Sequence, residues 1–436
     1  MYLYWLIFCA VSYCAFRNWK TTTIVWMPLQ LLFNECVCLR YTSPALTLVL
    51  AVDFLLLLVY CFQWKKLYFN YRKFFFKNIL IAYLASYLLS MIFSIVSIEE
   101  VLTGTIKYFI QNFIILYLFQ KALTGFDEIK LFIKATFVVA VLIISLGLFE
   151  AIVGDNPILD YVFMNAPIDA IEGKMYYIPP FMQMSGELQQ RFGMVRAFSF
   201  FNIHIAFGCA CVLLLFLYAY LYKHKIILFK KFYLAIGIGL FLTGVFLCNS
   251  KTPMVGLLFF TIGILSFRDI SRSYVVFFIV TVAFVLLIYF PDYLNNIQAL
   301  FNSNVAEEGG GSNVAMRTRQ FEVGLSLFER SPLVGNGIGS IAVFMKGGNN
   351  ADLLGAESSW LKILPERGLV GVIVYLYLYF TMYRKLLPYM SKRPLICFLG
   401  GILAMETATG FLNMVIYGSI VIVLYMIGNL HKTAKL

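Results

Sequence analysis

Long, continuous apolar runs separated by short polar stretches dominate the chain. The runs cover residues 2–16, 22–39, 44–64, 74–96, 101–119, 131–153, 198–222, 232–249, 253–267, 274–290, 368–383, 395–412 and 413–430. Most of them approach the length of roughly 17 to 25 residues that crosses a bilayer as a helix. Because they are continuous rather than alternating, they predict helices and not barrel strands. The pattern therefore predicts about 12 or 13 transmembrane helices.

The composition agrees with this pattern. Hydrophobic residues make up 61% of the chain, aromatic residues 17%, and charged residues only 13%. A soluble chain would need more charge to cover its surface. The first run has no basic residue ahead of it and no small-residue cleavage site, which favours a first membrane helix over a removed signal peptide. We expect an all-α, polytopic integral membrane protein.

Basic residues predict the orientation, since Lys and Arg near helix ends are retained in the cytoplasm. They cluster at Lys65, Lys66, Arg72 and Lys73; Lys121, Lys130 and Lys134; Lys223, Lys225, Lys230 and Lys231; Arg268 and Arg272; Arg384, Lys385, Lys392 and Arg393; and Lys432 and Lys435. If all of these lie inside, residues 154–197 and 291–367 form two long external loops. The net charge of +12 is then a topology signal. It predicts contact with anionic membrane lipid and no nucleic-acid partner.

This topology divides the chain into five parts. They are N-terminal membrane helices (1–153), a first external loop (154–197), central membrane helices (198–290), a second external loop with short helices and motifs (291–367), and C-terminal membrane helices (368–436). Unstructured loops longer than about 12 to 15 residues are uncommon unless they act as lids or binding segments. The two loops are therefore where we expect the chemistry.

Signatures of cofactor or metal chemistry are missing from the sequence. There is no P-loop, dinucleotide fingerprint or HExxH, and the nine cysteines lie largely inside apolar runs without zinc spacing. The cysteines are interpreted as packing residues. We expect no cofactor and no metal site.

The second loop contains a short predicted helix from Val314 to Glu329. Phe321, Leu325 and Phe328 give this helix one apolar face, suited to the membrane interface or to the helix bundle. Ser331-Pro332 ends it, because proline disfavours helical geometry in the preceding residue.

Four basic residues stand at predicted external boundaries: Arg196, Lys251, Arg317 and Arg319. Each could simply be a snorkelling side chain at a helix end. Yet they lie on the face from which the positive-inside bias should remove them, and three separate segments contribute. Arginine binds phosphate oxygens through two parallel charge-assisted hydrogen bonds. The cluster therefore also fits a lipid-linked pyrophosphate.

Glu357 is the sharpest acidic candidate. It precedes a membrane helix, where a carboxylate could accept a proton from an attacking sugar hydroxyl. The alternative is an N-cap or first-turn carboxylate that favours the helix dipole. Glu366 and Arg367 are interpreted as a helix-boundary pair. Asp53 and Glu406, inside predicted spans, are weaker candidates for buried functional carboxylates.

These residues occur in an order that resembles the bacterial O-antigen polymerase and O-antigen ligase superfamily. The matching elements are Arg317 with Phe321, the turn Pro332-Leu333-Val334-Gly335-Asn336-Gly337, Trp360-Leu361, and Glu366-Arg367-Gly368-Leu369-Val370-Gly371. The segment from Arg196 through Asn202 to Gly208 is similar to an earlier arginine-containing motif, and Lys251 falls where the family often has a Ser-Arg pair. The family histidine is replaced by Glu357 and its asparagine by Ser358. This departure leans toward a polymerase.

The resemblance implies a GT-C-like membrane glycosyltransferase that needs neither nucleotide nor metal and uses an undecaprenyl-diphosphate-linked glycan as donor. Arg196, Arg317 and Arg319, with Lys251, would bind the leaving pyrophosphate, and Glu357 would act on the acceptor hydroxyl. The implied setting is the bacterial inner membrane with an external active site. The product would be O-antigen of lipopolysaccharide or capsule, and the implied partner protein is a chain-length regulator.

Two other functions stay open. A ligase would perform the same chemistry with lipid A-core or another acceptor, and the missing histidine argues against it. A transporter or flippase of lipid-linked sugars would place its charged residues within the spans, whereas here they concentrate in the external loops.

Overall fold

A computed structural model describes residues 2–33, 37–40, 46–63, 74–165, 190–191, 194–223, 231–264, 314–346, 358–410 and 414–433. The helices are α1 (Tyr2–Arg17), α2 (Trp19–Leu29), α3 (Leu48–Gln63), α4 (Lys77–Ile92), α5 (Ile98–Phe109), α6 (Ile115–Ala122), α7 (Phe126–Val153), α8 (Pro157–Asn165), α9 (His204–Lys223), α10 (Lys231–Leu247), α11 (Lys251–Ile264), α12 (Val314–Phe328), α13 (Ser340–Lys346), α14 (Ser359–Leu386), α15 (Lys392–Ala408) and α16 (Met414–Thr433). Two small antiparallel pairs complete the list: β1 (Cys38–Arg40) with β2 (Leu46–Thr47), and β3 (Gln190–Arg191) with β4 (Met194–Val195).

The all-α, multi-span architecture is confirmed. Among the described residues, five continuous helical stretches are long and apolar enough to cross a membrane: Ile98–Ala122, Phe126–Val153, His204–Lys223, Ser359–Leu386 and Met414–Lys432. A π-helical turn at Ile110–Ile114 joins α5 and α6 into the first of these. Shorter apolar helices accompany them at Tyr2–Arg17, Leu48–Gln63, Lys77–Ile92, Lys231–Leu247 and Lys251–Ile264.

Helix positions follow the hydrophobic runs closely, with one clear error. The predicted span 22–39 is wrong: α2 ends at Leu29 and passes through a 3-10 turn (Gln30–Leu32), and Cys38 begins a strand. The Nε1 atom of Trp26 and the Nε2 atom of Gln30 both donate to Oδ1 of Asp53, at 2.8 and 3.1 Å. This polar contact holds the end of α2 against α3. The predicted span 274–290 lies outside the described residues.

The first loop contains elements that the hydrophobic pattern did not indicate. Helix α8 follows Gly154, which ends α7 with a left-handed φ of 78°. The β3–β4 pair then precedes Arg196. Both elements are short, so they contain too few apolar residues to show a hydrophobic periodicity in the sequence.

Helix α9 lies at the centre of the bundle, and every residue from Phe207 to Tyr218 on it is buried. Small residues let its neighbours approach closely, as is usual between membrane helices. A Cβ at Gly208 would overlap the Cys248 side chain and Pro253, and one at Gly244 would meet Cys211 and Ile144. The core is therefore built from close helix contacts around α9.

Several helix ends meet at one end of the bundle, called the loop end below. There the N–H of Ala197 donates to the carbonyl oxygen of Leu247 at 3.0 Å, and Nε1 of Trp360 donates to Oγ1 of Thr407 at 3.0 Å. The basic-residue distribution predicts that this end faces outside.

Candidate functional site

The turn at residues 332–337 is bound through its backbone to the kinked start of α14. The N–H of Asn336 donates to Pro365 O at 2.8 Å, and the N–H of Gly337 donates to Glu366 O at 3.1 Å. In the other direction, Leu369 N donates to Pro332 O at 2.9 Å and Val370 N to Leu333 O at 3.1 Å. The two motifs of the second loop therefore form one unit, although about thirty residues separate them.

Glycines make this docking possible. Gly335 and Gly368 have left-handed φ angles of 76° and 59°. A Cβ at Gly335 would overlap the backbone of Glu366 and Arg367, and one at Gly368 would lie 2.6 Å from the carbonyl carbon of Leu333. Only glycine combines this backbone conformation with such a close approach. The spacing of glycines in both motifs has a structural cause.

Side chains of the two motifs complete the connection. Nδ2 of Asn336 donates to Leu327 O at 2.9 Å and to Pro365 O at 3.0 Å, so it ties the end of α12 to α14. Oε1 of Glu366 accepts the N–H of Gly339 at 2.9 Å. Ser90 of α4 donates to Glu366 O. Glu366 is thus a helix-boundary residue, as predicted, and it joins α4 to the turn.

Helix α12 confirms the predicted helix and its end before Pro332, but a different face is buried. Gln320 and Leu327 are buried, and a Cβ at Gly324 would meet the Leu361 side chain of α14. Phe321 and Leu325, assigned to the apolar face, are 38% and 51% exposed. These two side chains therefore do not pack inside the helix bundle.

Arg317 and Arg319 occupy the first turns of α12. Arg319 is exposed. In the described part of the chain, the main contacts of α12 are with α14, so neither arginine is shown to join the Arg196 segment.

The backbone around Arg196 is held by a buried carboxylate that the sequence analysis did not single out. Oε2 of Glu150, near the end of α7, accepts the N–H groups of Phe198 and Ser199 at 2.7 and 3.0 Å. Asn156 donates to the other carboxylate oxygen and to Ser199 O. Ser199 itself has a left-handed φ of 54°. Glu150 therefore fixes a strained turn directly after Arg196.

The structure brings Arg196 and the Lys251 hairpin to one place. Ala197 is hydrogen-bonded to Leu247, and the buried Arg196 lies close enough to Cys248 for an electrostatic interaction. Lys251 begins α11 three residues later, and its Nζ atom is buried. These two predicted binding residues therefore belong to adjacent segments at the loop end.

Glu357 lies outside the described residues, so its predicted role is not tested. Its neighbour Ser358 is buried and is the N-cap of α14, because its Oγ accepts the N–H of Trp360 at 3.3 Å. The N-cap function considered for Glu357 thus belongs to Ser358.

Two buried ionisable residues, Arg367 and Glu406, also lie within the helix bundle. Arg367 is 7% exposed and its guanidinium lies 5.0 and 5.1 Å from the ring centroids of Tyr83 and Tyr87. Glu406, 4% exposed, accepts the hydroxyl of Tyr379 at 2.9 Å and interacts electrostatically with Cys209 of α9. The sequence analysis treated Arg367 as a boundary residue only. The available signal was its position directly before Gly368, where the apolar part of α14 begins.

A comparison with protein families identifies the same region. A family model described as O-antigen ligase matches residues 236–376, which include α11, the whole docked turn and the first half of α14. No curated protein matches the chain. The match covers less than half of the chain, and over these residues it confirms the resemblance to the O-antigen polymerase and O-antigen ligase superfamily, whose members are glycosyltransferase-like enzymes.

Proposed function

We propose that the protein is a polysaccharide polymerase of a bacterial cytoplasmic membrane. It would transfer a growing glycan from undecaprenyl diphosphate to the non-reducing end of a lipid-linked repeat unit, on the external face. The observation that carries this proposal is the docking of residues 332–337 on residues 365–370, within the family match. This docking holds α12, with Arg317 and Arg319, at the membrane end of α14.

The donor diphosphate needs positive charge as it leaves. In the proposed reaction the bond between the anomeric carbon and the diphosphate oxygen breaks, and negative charge develops on the diphosphate. Preorganised cations stabilise such charge more strongly than water does. Arg196 and Lys251 would supply it from the α9–α11 segments, and Arg317 with Arg319 from α12. Glu150 supports this assignment, because it holds the turn that follows Arg196 in one conformation.

The acceptor hydroxyl must lose its proton. Its oxygen would form the new bond to the anomeric carbon, and Glu357 would take the proton as general base. In the sequence Glu357 directly precedes Ser358, the N-cap of α14. All atoms and charges of the transfer are then accounted for without another reactant.

A ligase is the second candidate, because the matching family model is described as O-antigen ligase and does not separate the two activities. It differs only in its acceptor, which would be lipid A-core or another surface molecule. Transport of lipid-linked sugars is less well supported, because the buried carboxylates Asp53, Glu150 and Glu406 all accept hydrogen bonds from protein groups. They have structural partners and do not line a described path.

The test is a gel of lipid-linked and surface glycans from cells with the intact protein, a deletion, Arg317→Ala or Glu357→Gln, with protein amounts checked by blot. Arg330→Ala is the matched control, since Arg330 is an exposed residue just after α12. We expect the polymer ladder to collapse to single repeat units in the deletion and both site variants, but not in the control. Full-length lipid-linked polymer that never reaches an acceptor would identify a ligase, and missing exported repeat units would identify a transporter.

A further inference from the structure

Arg367 is a buried cation with an unused hydrogen-bond donor. Its side chain is 7% exposed, and its Nη1 atom makes no hydrogen bond within the described part of the chain. The described part of the chain contains a salt bridge between Lys130 and Asp127, which does not involve Arg367. The carboxylate of the adjacent Glu366 accepts the N–H of Gly339 and interacts electrostatically with Arg367, but Nη1 has no hydrogen bond to it.

Two aromatic rings hold the guanidinium in position. Tyr83 and Tyr87 lie one turn apart on α4, and their ring centroids are 5.0 and 5.1 Å from Cζ of Arg367. The ring of Tyr108 on α5 stacks against that of Tyr87, with centroids 5.3 Å apart. Rings attract the guanidinium through its faces. The side chain of Tyr83 also makes a hydrogen bond with Arg367, and Nη1 is the edge group without a hydrogen-bond partner in the described part of the chain.

These ring contacts do not balance the cost of burying the charge. A cation–π contact contributes about 0.5 to 2 kcal/mol. Removing an ion from water costs several kcal/mol even after relaxation, unless good hydrogen bonds replace those to water. A charged residue retained inside a membrane bundle is by default a functional residue. An anionic oxygen that accepts a hydrogen bond from Nη1 would offset the remaining free-energy cost of burying this charge.

The location of Arg367 indicates which class of anion it would bind. A Cβ at Gly335 or Gly371 would meet atoms of Arg367, so the residue lies directly beneath the docked turn. The helix that carries Arg317 and Arg319 is attached to the same turn through Asn336. Arg367 is therefore a buried cation next to the motif that the donor is expected to approach.

We propose that Nη1 of Arg367 binds a phosphate oxygen of the prenyl-linked diphosphate donor, with Tyr83 and Tyr87 orienting the guanidinium. This inference rests on the proposed function and adds a binding residue to it. It also explains why a cation is kept in a helix whose neighbouring positions, Leu369 and Val370, are apolar.

The test measures binding of farnesyl diphosphate and of farnesol to the full chain purified in detergent. Farnesol has the same prenyl chain but no phosphate. The variants are Arg367→Met, which keeps most of the side-chain length, and Arg367→Lys, which keeps the charge but not the planar fork. Arg384→Gln is the control, because Arg384 is an exposed arginine near the other end of α14 that also lies over a ring, Phe380.

We expect farnesyl diphosphate to bind the unaltered protein more tightly than farnesol. Arg367→Met should raise the Kd for the diphosphate at least about tenfold, the loss expected for a hydrogen bond to a charged group. The Kd of Arg367→Lys for the diphosphate should lie between that of the unaltered protein and that of Arg367→Met. The Kd for farnesol should not change in either variant. Arg384→Gln should bind like the unaltered protein.

Unchanged diphosphate binding in folded Arg367→Met would overturn the inference and leave the proposed function standing. A purely structural arginine would give this result together with a lower melting temperature. If the Met variant does not fold, the Lys variant decides in the same way. No preference of the unaltered protein for the diphosphate over farnesol would instead contradict the proposed donor, and the inference with it.

Discussion

The carboxylate of Glu150 accepts the backbone N–H of Ser199 at 3.0 Å, across the whole of the first long loop. A residue near the end of one span thereby holds the turn that leads into the central helix α9. The same carboxylate binds Phe198 N–H at 2.7 Å and the side chain of Asn156. The base of the loop is therefore closed by a buried polar cluster, three residues from Arg196.

Replacing Glu150 should loosen this turn. Glu150→Ala leaves two buried N–H groups without an acceptor, at a cost of about 1 to 3 kcal/mol for each. We expect a lower melting temperature in detergent and shorter polymer ladders, because Arg196 is no longer held. Glu150→Gln keeps an acceptor oxygen and should show a smaller effect. Asp127→Ala on the same helix should change neither the melting temperature nor the length of the polymer ladder, since Asp127 is 91% exposed. A stable, active Glu150→Ala protein would contradict this role.

The docked turn can be tested with two glycines that differ in their surroundings. Gly335 and Gly339 both have left-handed φ angles, 76° and 83°. A Cβ at Gly335 would overlap the backbone of α14, whereas one at Gly339 would lie 4.0 Å from Val96. Gly335→Ala should therefore abolish polymer formation. Gly339→Ala should cost only the backbone strain of roughly 1 to 2 kcal/mol. Equal glycan patterns for the two variants would show that the close approach of Gly335 to the backbone of α14 is not needed for polymer formation.

Asn336 offers a test of how α12 is held. Its side chain makes two hydrogen bonds, to Leu327 O and Pro365 O. Asn336→Ala should weaken the attachment by about 1 to 3 kcal/mol. We expect faster limited proteolysis within residues 314–346 and a reduced ladder, with little change in global melting. Ser326→Ala is the control on α12, because Ser326 is exposed and bonds only to Val323 of its own helix. Unchanged proteolysis in Asn336→Ala would be evidence against this attachment.

Asp53 is expected to be structural. Its Oδ1 accepts from Trp26 and Gln30, and an amide oxygen can accept the same two hydrogen bonds. Asp53→Asn should therefore retain a full polymer ladder, while Asp53→Ala should lower the melting temperature by removing the contact between α2 and α3. Loss of polymer in a normally folded Asp53→Asn protein would indicate that the carboxylate takes part in function.

The helices could be predicted because each needs only its own residues. Apolar runs of membrane-spanning length predict helices wherever the backbone must satisfy its own hydrogen bonds. Proline at 332 likewise marks the end of α12 through local sterics alone. The error in α2 arose because apolar residues continue past its end at Leu29, and the contact of Trp26 and Gln30 with Asp53 on another helix leaves no local signal.

The order of residues in this chain specifies an all-α membrane protein, the positions of most helices and the motifs of a family. Run length, local sterics and charge distribution act over a few residues and can be read directly. Only the tertiary structure shows that Glu150 supports the Arg196 turn, that residues 332–337 dock on residues 365–370, and that Arg367 is a buried cation between two tyrosines. These relationships join residues that are far apart in the chain. Their burial and the hydrogen bonds between them produce no recognisable pattern in the local sequence.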